Sequence, residues 1–377
     1  MGLILGVNAF TLGTHTNGSL ANSPAGGIVL HSGTWTGGNG ETATFVAVLG
    51  ALSSAQEASE QLADVIGATG TQVTTSTVGS VQTAIGNAMG AATGQSRDLV
   101  SNGLTPMAGG VRYQGMSAGD GFEFPFGFWA TYDHSDFDDD TGGLGLDGDT
   151  NAVLVGGDFS PWEGTVFGVA LGYEDSAMDT FFNGGDLEMD GFSVIPYAAV
   201  YLSDHVGVDF DLTADFLLGY SSIDVSTTRS VGGALVSGST DSTRRFFAGN
   251  VTAGVAMGAM YLSGTGGFLV ARDELDGFVD SGGTAIAAQR TEFGQLSVGG
   301  EAAYAWARFE PYVTAQWMYA YEREESTVVS DDANSAQLGL GVRYFGESFS
   351  GTLGYSTIVG RDDYSQGTIS AQVRAEF

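Results

Sequence analysis

From about residue 122 to the end of the chain, apolar and polar positions alternate with a period of two. The clearest stretch is VGVDFDLTADFLLGY, in which Val206, Val208, Phe210, Leu212, Ala214, Phe216, Leu218 and Tyr220 share one face. Asp209, Asp211, Thr213 and Asp215 share the other. A helix would scatter both sets around its circumference, whereas an extended strand separates them cleanly. The same split recurs in QLSVGGEAAYAW, NVTAGVAMGAMY and QLGLGVRYF, and again in the closing GTISAQVRAEF.

The alternation predicts strands at 122–137, 148–160, 164–181, 186–203, 205–227, 242–262, 264–275, 288–306, 308–326, 333–346, 348–361 and 364–377. Their number is even, as single-chain bacterial outer-membrane barrels require, and such barrels need only about 10 alternating residues per strand. Many of these segments exceed the roughly 5–6 residues typical of globular sheets, which disfavours a soluble β-sandwich. Short joins are expected at SPWEG, LSDHVG, LSGTGG, WARFEP and FGESF. They alternate with longer links such as DDDTGGLGLDGD, DTFFNGGDLEMD, SVGGALVSGSTDST and GRDDYSQG. Short turns on one side and long loops on the other suit a membrane-spanning barrel. Trp129, Tyr132, Trp162, Tyr201, Trp306, Tyr312, Trp317, Tyr319 and Tyr321 gather toward strand ends, where amphipathic rings meet a membrane interface.

Ahead of the barrel the pattern changes. Residues 47–103 are rich in alanine, serine and threonine. Ser53 or Ser54 with Glu57 offers a capping box for a first helix carrying Leu52, Ala55, Leu62 and Ile66. A second helix, over about 72–101, places Val78, Val81, Ile85 and Met89 on one side. So much glycine and threonine makes a poor free helix, but its narrow girth suits a confined, polar lumen. The expected fold is therefore all-β: a 12-stranded antiparallel transmembrane β-barrel with an N-terminal α-helical linker threading the lumen. Residues 1–46 form a glycine-rich arm or the last rungs of a solenoid, 47–115 the linker and pore helix, and 116–377 the barrel. No basic segment followed by an apolar core precedes them, so the start is expected to be internal to a longer protein or misplaced.

Composition narrows the partners. A net charge of −32 with 12 basic residues, all arginine, excludes a phosphate-backbone surface, so no nucleic-acid partner is expected. With no cysteine, thiol catalysis and disulfide frameworks are excluded. His15, His31, His134 and His205 lack ligand spacing, and neither G-x-S-x-G nor H-E-x-x-H occurs. No enzyme activity, cofactor or metal is expected in this chain. Asp136, Asp138, Asp140, Asp147 and Asp149 offer hard oxygens but not the spacing of a calcium loop, and read as a solvated acidic loop, with cation bridging to lipopolysaccharide as the alternative. If the apolar faces meet lipid, Arg343, Arg374, Glu301, Asp209, Asp211 and Asp215 face the lumen, because arginine on the lipid face would cost on the order of 2–4 kcal/mol at the midplane.

In this order, the helical linker, then GFWATYDHSDFDDDTGGLGLDGDTNAVLVGGDFSPWEGTVFGVALGYEDS, then RDELDGFVDSGGTAIAAQRTEFGQLSVGGEAAYAW and the terminal Phe377 resemble the C-terminal translocator of type V autotransporters. The resemblance covers about residues 50–377. It implies a barrel in the bacterial outer membrane, through which an N-terminal passenger in cis is secreted or displayed. It also implies monomeric insertion into lipid and lipopolysaccharide by the barrel-assembly machinery and periplasmic chaperones, with Phe377 as the assembly signal. Some members cleave themselves at an asparagine pair in the helix, whereas VSNGL carries the single Asn102. The alternative is a small porin-like outer-membrane channel plugged by its N-terminal segment.

Overall fold

The computed structural model describes residues 14–16, 21–22, 28–36, 42–48, 55–92, 126–140, 145–207, 210–231, 233–322, 332–346 and 349–377. Asp209, Asn102 and the segment from 93 to 125 lie outside the described residues. Thr14–Thr16, Ala21–Asn22, Ile28–Thr36 and Thr42–Val48 form a small sheet whose pairings are all antiparallel. Solenoid rungs would stack in parallel, so the solenoid reading of this segment is corrected.

The barrel consists of β1 (Phe126–Asp139), β2 (Leu146–Phe159), β3 (Thr165–Thr180), β4 (Gly185–Tyr201), β5 (Asp211–Val231) and β6 (Ala234–Met257). It continues with β7 (Met260–Leu275), β8 (Gln289–Tyr304), β9 (Phe309–Glu322), β10 (Asn334–Phe345), β11 (Phe349–Val359) and β12 (Tyr364–Glu376). Each strand pairs with its neighbours in sequence, and β12 pairs antiparallel with β1 from Tyr364↔Asp139 to Glu376↔Gly127. Phe377 and Phe126 exchange backbone hydrogen bonds of 3.0 and 3.4 Å at the seam. Closure leaves no open edge, the condition for strands to cross a bilayer.

Period-two alternation becomes inside and outside. On β12, Ile369 and Val373 face outward and exposed, while Gln372 and Arg374 are buried. Val155, Leu171, Phe216, Leu340 and Leu353 continue an exposed apolar wall around the barrel. Phe126, Phe128, Phe159, Trp162, Phe167 and Phe349 crowd the rim where β1 begins and β12 ends. The opposite rim is taller. β5 and β6 run for 21 and 24 residues, about twice what the hydrocarbon requires, and their far ends carry Ser, Thr, Asp and Arg instead of an apolar stripe. The taller rim is the extracellular side, since outer-membrane barrels have short periplasmic turns.

Four expectations are corrected here. SVGGALVSGSTDST is not a long loop: β5 and β6 continue through it to a tight turn at Gly233, whose φ of 85° a residue with a Cβ would resist. LSGTGG is not a turn but lies inside β7, the reversal falling at Gly258 with φ 64°. DTFFNGGDLEMD is mostly strand, with only residues 181–184 connecting β3 to β4. Along the linker, the two expected helices are one, α1 (Ala55–Ala92).

Candidate functional site in the barrel lumen

α1 has 38 residues, about 57 Å at 1.5 Å per residue, and lies inside the barrel. Its composition survives because the lumen completes what the sequence lacks. Thr69, Thr71, Thr74, Thr75 and Thr83 each donate a side-chain hydrogen bond to the carbonyl four residues earlier, so the hydroxyls are satisfied within the helix. Val65 and Ile66 pack into a cluster with Phe137, Met178, Leu187 and Ile223 toward the extracellular end. Val78, Val81, Ile85 and Met89, the apolar side read from sequence, are buried against Trp129, Leu154, Ile195, Tyr197 and Phe246 toward the periplasmic end.

Polar contacts fix the helix in depth. Near its start, the Ala287 backbone N–H donates to Ser59 Oγ at 3.1 Å, from the connection between β7 and β8. Midway, Ser80 Oγ donates to Asp133 Oδ2 at 2.6 Å, and Gln372 Nε2 donates both to the Ser80 carbonyl at 3.2 Å and to Thr131 Oγ1 at 2.9 Å. Near its end, Asn87 Nδ2 donates to Gln372 Oε1 at 2.9 Å. The helix therefore enters from the extracellular rim and ends toward the periplasmic one, where β1 starts.

A buried ion triad supports the middle of α1. Arg244 on β6 donates through Nε to Asp273 on β7 at 2.9 Å and through Nη1 to Glu174 on β3 at 3.0 Å. The helix passes directly over it at Gly70, where a Cβ would collide with Asp273 Oδ2 and come within 2.8 Å of Arg244 Nη2. These three residues were missed in sequence, although parity identifies them: Glu174 is on the inward register of β3, and of the pair Arg244–Arg245 only one can face in.

The charged residues expected in the lumen are distributed as follows. Arg343 on β10 donates to Glu301 on β8 at 2.9 and 2.5 Å and to Glu310 on β9 at 2.7 Å, with its guanidinium 4.1 Å from the Tyr312 ring centroid. Arg374 on β12 forms a bidentate pair with Asp158 on β2 and a third contact with Glu376. Asp211 accepts from the Tyr201 hydroxyl at 3.1 Å, and Asp215 bonds Gln82 of α1. Arg343 and Glu301 line a cavity of about 320 Å³ between the Thr71, Gln72, Thr75 and Gly79 side of α1 and the wall of β8–β12. The helix thus occupies one side of the lumen and leaves a polar passage along the other.

The extracellular mouth is clasped over α1. Between β7 and β8, Phe278–Val279 and Ala285–Ile286 form a small hairpin, and Ser281 N–H donates to the Ser237 carbonyl of β6 at 2.8 Å. Asp280 accepts from Arg229 Nη2 at 2.6 Å and from the N–H groups of Gly282 and Thr284. Burial alone would raise the Asp280 carboxyl, but the Arg229 bond and the two N–H groups hold it below the usual carboxylate range. Asp138 and Asp147 are cross-strand neighbours on the outward face near this rim, as are Asp136 and Asp149. Among the described residues, no group of His, Cys, Asp or Glu is arranged to hold a metal.

Comparison with known proteins agrees with this geometry. The sequence profile described as "Autotransporter beta-domain" matches residues 128–366. The chain is 24% identical over 249 residues to the uncharacterized protein YaiT of Escherichia coli (strain K12), an alignment covering 61% of this chain and 24% of that protein. It thus spans about a quarter of the length of the curated relative it matches. The fold is similar to the translocator domain of autotransporter NalP from Neisseria meningitidis, with TM-score 0.58 and 16% identity, over 66% of this chain and 88% of that one. It is also similar to the transport unit of the autotransporter AIDA-I from Escherichia coli, with TM-score 0.55 and 13% identity, over 77% and 99%. The plugged porin-like alternative is not favoured by these matches. A closed barrel of twelve strands, an interior helix and the family match lead to one assignment: the chain belongs to the autotransporter β-domain family, a transport unit of the bacterial outer membrane.

Proposed function

We propose that the chain secretes or displays an N-terminal passenger in cis, with α1 as the tether left in the lumen after passage. The direction of α1 carries this reading. Its start is held by Ala287 at the extracellular rim, and Asn87 near its end is held by Gln372 on the periplasmic half. Sequence upstream of α1 then lies outside the cell, while the chain re-enters the membrane from the periplasm at Phe126. In this reading residues 1–46 are a passenger remnant or arm, 47–115 the linker and 116–377 the barrel unit.

Arg343, Glu301, Arg374, Asp211, Asp215 and Asp209 would polarise the passage, and Val78, Val81, Ile85 and Met89 would seat the helix against the dry wall. Phe377, exposed beside Phe128 at a ring-centroid distance of 6.1 Å, would serve as the signal read by the barrel-assembly machinery after periplasmic chaperones deliver the chain. The barrel would insert as a monomer, its apolar wall in lipid and lipopolysaccharide. Any chemistry would belong to the passenger. The test is a small reporter domain fused upstream of Thr42 and probed by antibody on intact cells. Surface signal that disappears when residues 55–92 are deleted supports the proposal. A reporter retained in the periplasm beside a folded barrel overturns it.

A further inference from the structure

The outward wall of β6–β8 carries a basic patch that translocation does not use. Arg245 on β6 and Arg272 on β7 are direct cross-strand partners, and both point away from the lumen. Glu292 continues their row on β8, and Tyr220 precedes it on β5. One step toward the extracellular rim, Glu274 pairs with Arg290. One step toward the periplasm the wall turns apolar, with Phe247 facing Val270, and Phe247 meets Phe268 edge-on at 5.2 Å. The arginines therefore stand on the boundary between lipid and the polar surface.

Like charges directly opposed across a ladder repel, and here they are only partly compensated. Arg272 pairs with Glu274 and Arg290 with Glu292, while Arg245 reaches Glu274 only at 3.7 Å, beyond hydrogen-bond range. Arg272 Nε has no hydrogen-bond partner among the described residues. The side chains of Arg245 and Arg290 are 59% and 50% exposed, so both are accessible. The neighbouring wall has the opposite sign: Asp138, Asp147, Asp179 and Asp186 are successive cross-strand neighbours on the outward face of β1–β4. Farther toward the extracellular rim, Asp190, Asp224 and Asp241 are successive cross-strand neighbours on the outward face of β4–β6, so Arg245, Arg272 and Arg290 are the cationic positions beneath an acidic crown.

We propose that Arg245, Arg272 and Arg290 form a binding site for a phosphorylated glycolipid of the outer leaflet, its phosphate on the guanidinium groups and its acyl chains on Phe247, Phe268 and Val270. Guanidinium donors match phosphate geometry, and the aromatic bed directly beneath supplies what an amphiphile needs and a free anion does not. The site rests on the outer-membrane placement of the barrel but not on passenger transport.

The test uses the full chain, delipidated in detergent, titrated with bisphosphorylated lipid A, dephosphorylated lipid A, phosphatidylglycerol and inorganic phosphate, with binding read by native mass spectrometry. Heat-modifiable gel mobility confirms that each variant is folded. Bisphosphorylated lipid A is expected to bind best, and R245Q/R272Q to weaken it roughly 30-fold, from about 5-fold per arginine at an anionic surface. R361Q, in the turn between β11 and β12 where Arg361 stacks over Tyr364 at the edge of the luminal cavity and away from β6–β8, is expected to leave binding unchanged. Equal binding by R245Q/R272Q, indifference to the lipid A phosphates, or equal uptake of phosphatidylglycerol or inorganic phosphate would overturn the site. Reporter display on intact cells would survive any of these outcomes, so the two proposals fail separately.

Discussion

Arg374 on β12 grips Asp158 on β2 through two hydrogen bonds of 2.7 and 2.8 Å, reaching across the intervening β1. The reach is possible because β1 presents Gly127 beneath the guanidinium, where a Cβ would collide with Arg374 Nη2 and approach Cζ at 2.5 Å. The pair therefore fastens the last strand to the second as well as to the first, and both side chains are almost fully buried. Arg374→Ala should destabilise the barrel by about 3–5 kcal/mol, the cost of stranding a buried carboxylate. Gly127→Val should approach the same loss by pushing the pair apart. Boil-dependent gel mobility followed against temperature measures both, and a wild-type midpoint in Gly127→Val would show that the seam does not depend on this contact.

The clasp over the extracellular mouth should respond to acid in a defined direction. Asp280 has its carboxyl held below the ordinary value, so its contribution is complete above the unfolded pKa of about 3.9. That contribution is lost as pH falls toward the lower folded value. Asp280→Asn should lower stability by about 2–4 kcal/mol near neutrality, since it leaves Arg229 largely buried without its charge partner. The gap in melting temperature between wild type and Asp280→Asn should stay constant from pH 5 to 8 and narrow below about pH 4. A gap that widens in acid would reverse the assigned sign.

Two glycines of α1 should behave oppositely. At Gly70 a methyl group meets the Asp273 carboxylate and the Arg244 guanidinium, whereas at Gly79 nothing lies within 4 Å. Gly70→Ala should cost about 1–3 kcal/mol through overpacking. Gly79→Ala should gain up to about 1 kcal/mol from helix propensity. Urea resistance of the plugged barrel in bilayers, read as the onset of increased conductance, separates them. Equal behaviour would mean that α1 does not rest on the triad.

The aspartate arc on β1–β4 should be a source of self-repulsion. Asp147 directly faces Asp138 on one side and Asp179 on the other. Asp147→Asn should stabilise the barrel by about 0.4–2 kcal/mol, from roughly 0.2–1 kcal/mol for each of the two relieved pairs. The gain should shrink in 1 M salt, where the screening length falls to about 3 Å. Thermal melting at low and high salt in the presence of a chelator checks this, and a salt-independent gain would point to a cause other than charge.

The barrel was legible wherever one strand face meets lipid, since the bilayer enforces a period of two. Leu212 to Tyr220 and Ile369 to Ala375 show this directly, whereas Val206, expected on the same strand face, ends the helical turn Ser203–Val206 and the strand begins at Asp211. Legibility failed where the lipid ends. In β5 and β6 beyond Tyr220 and Arg245 the outward face is mostly Ser, Thr and Asp, while Ile223, Val225 and Val236 are buried on the inner face, so the lipid-enforced pattern ends and a continuous ladder reads as a loop until Gly233. Gly264 and Gly266 misled differently, as glycines within a lipid-facing strand rather than at a turn. Of the site, the apolar side of α1 was readable from its spacing. Its continuity was not, because the hydroxyl bonds back to the helix and the Arg244 triad lie outside local propensity.

The threading of α1 through the barrel is tested most directly by placement of single cysteines, since the natural sequence has none. A membrane-impermeant thiol reagent applied to intact cells should label Thr44→Cys, ahead of α1. It should label Pro161→Cys, in the turn between β2 and β3, only after the outer membrane is permeabilised. Asn87→Cys, inside the lumen, should react with a bulky reagent only after the barrel is unfolded. Labelling of Pro161→Cys together with protection of Thr44→Cys on intact cells would contradict the direction of threading, and ready labelling of Asn87→Cys in the folded barrel would contradict the helix being inside.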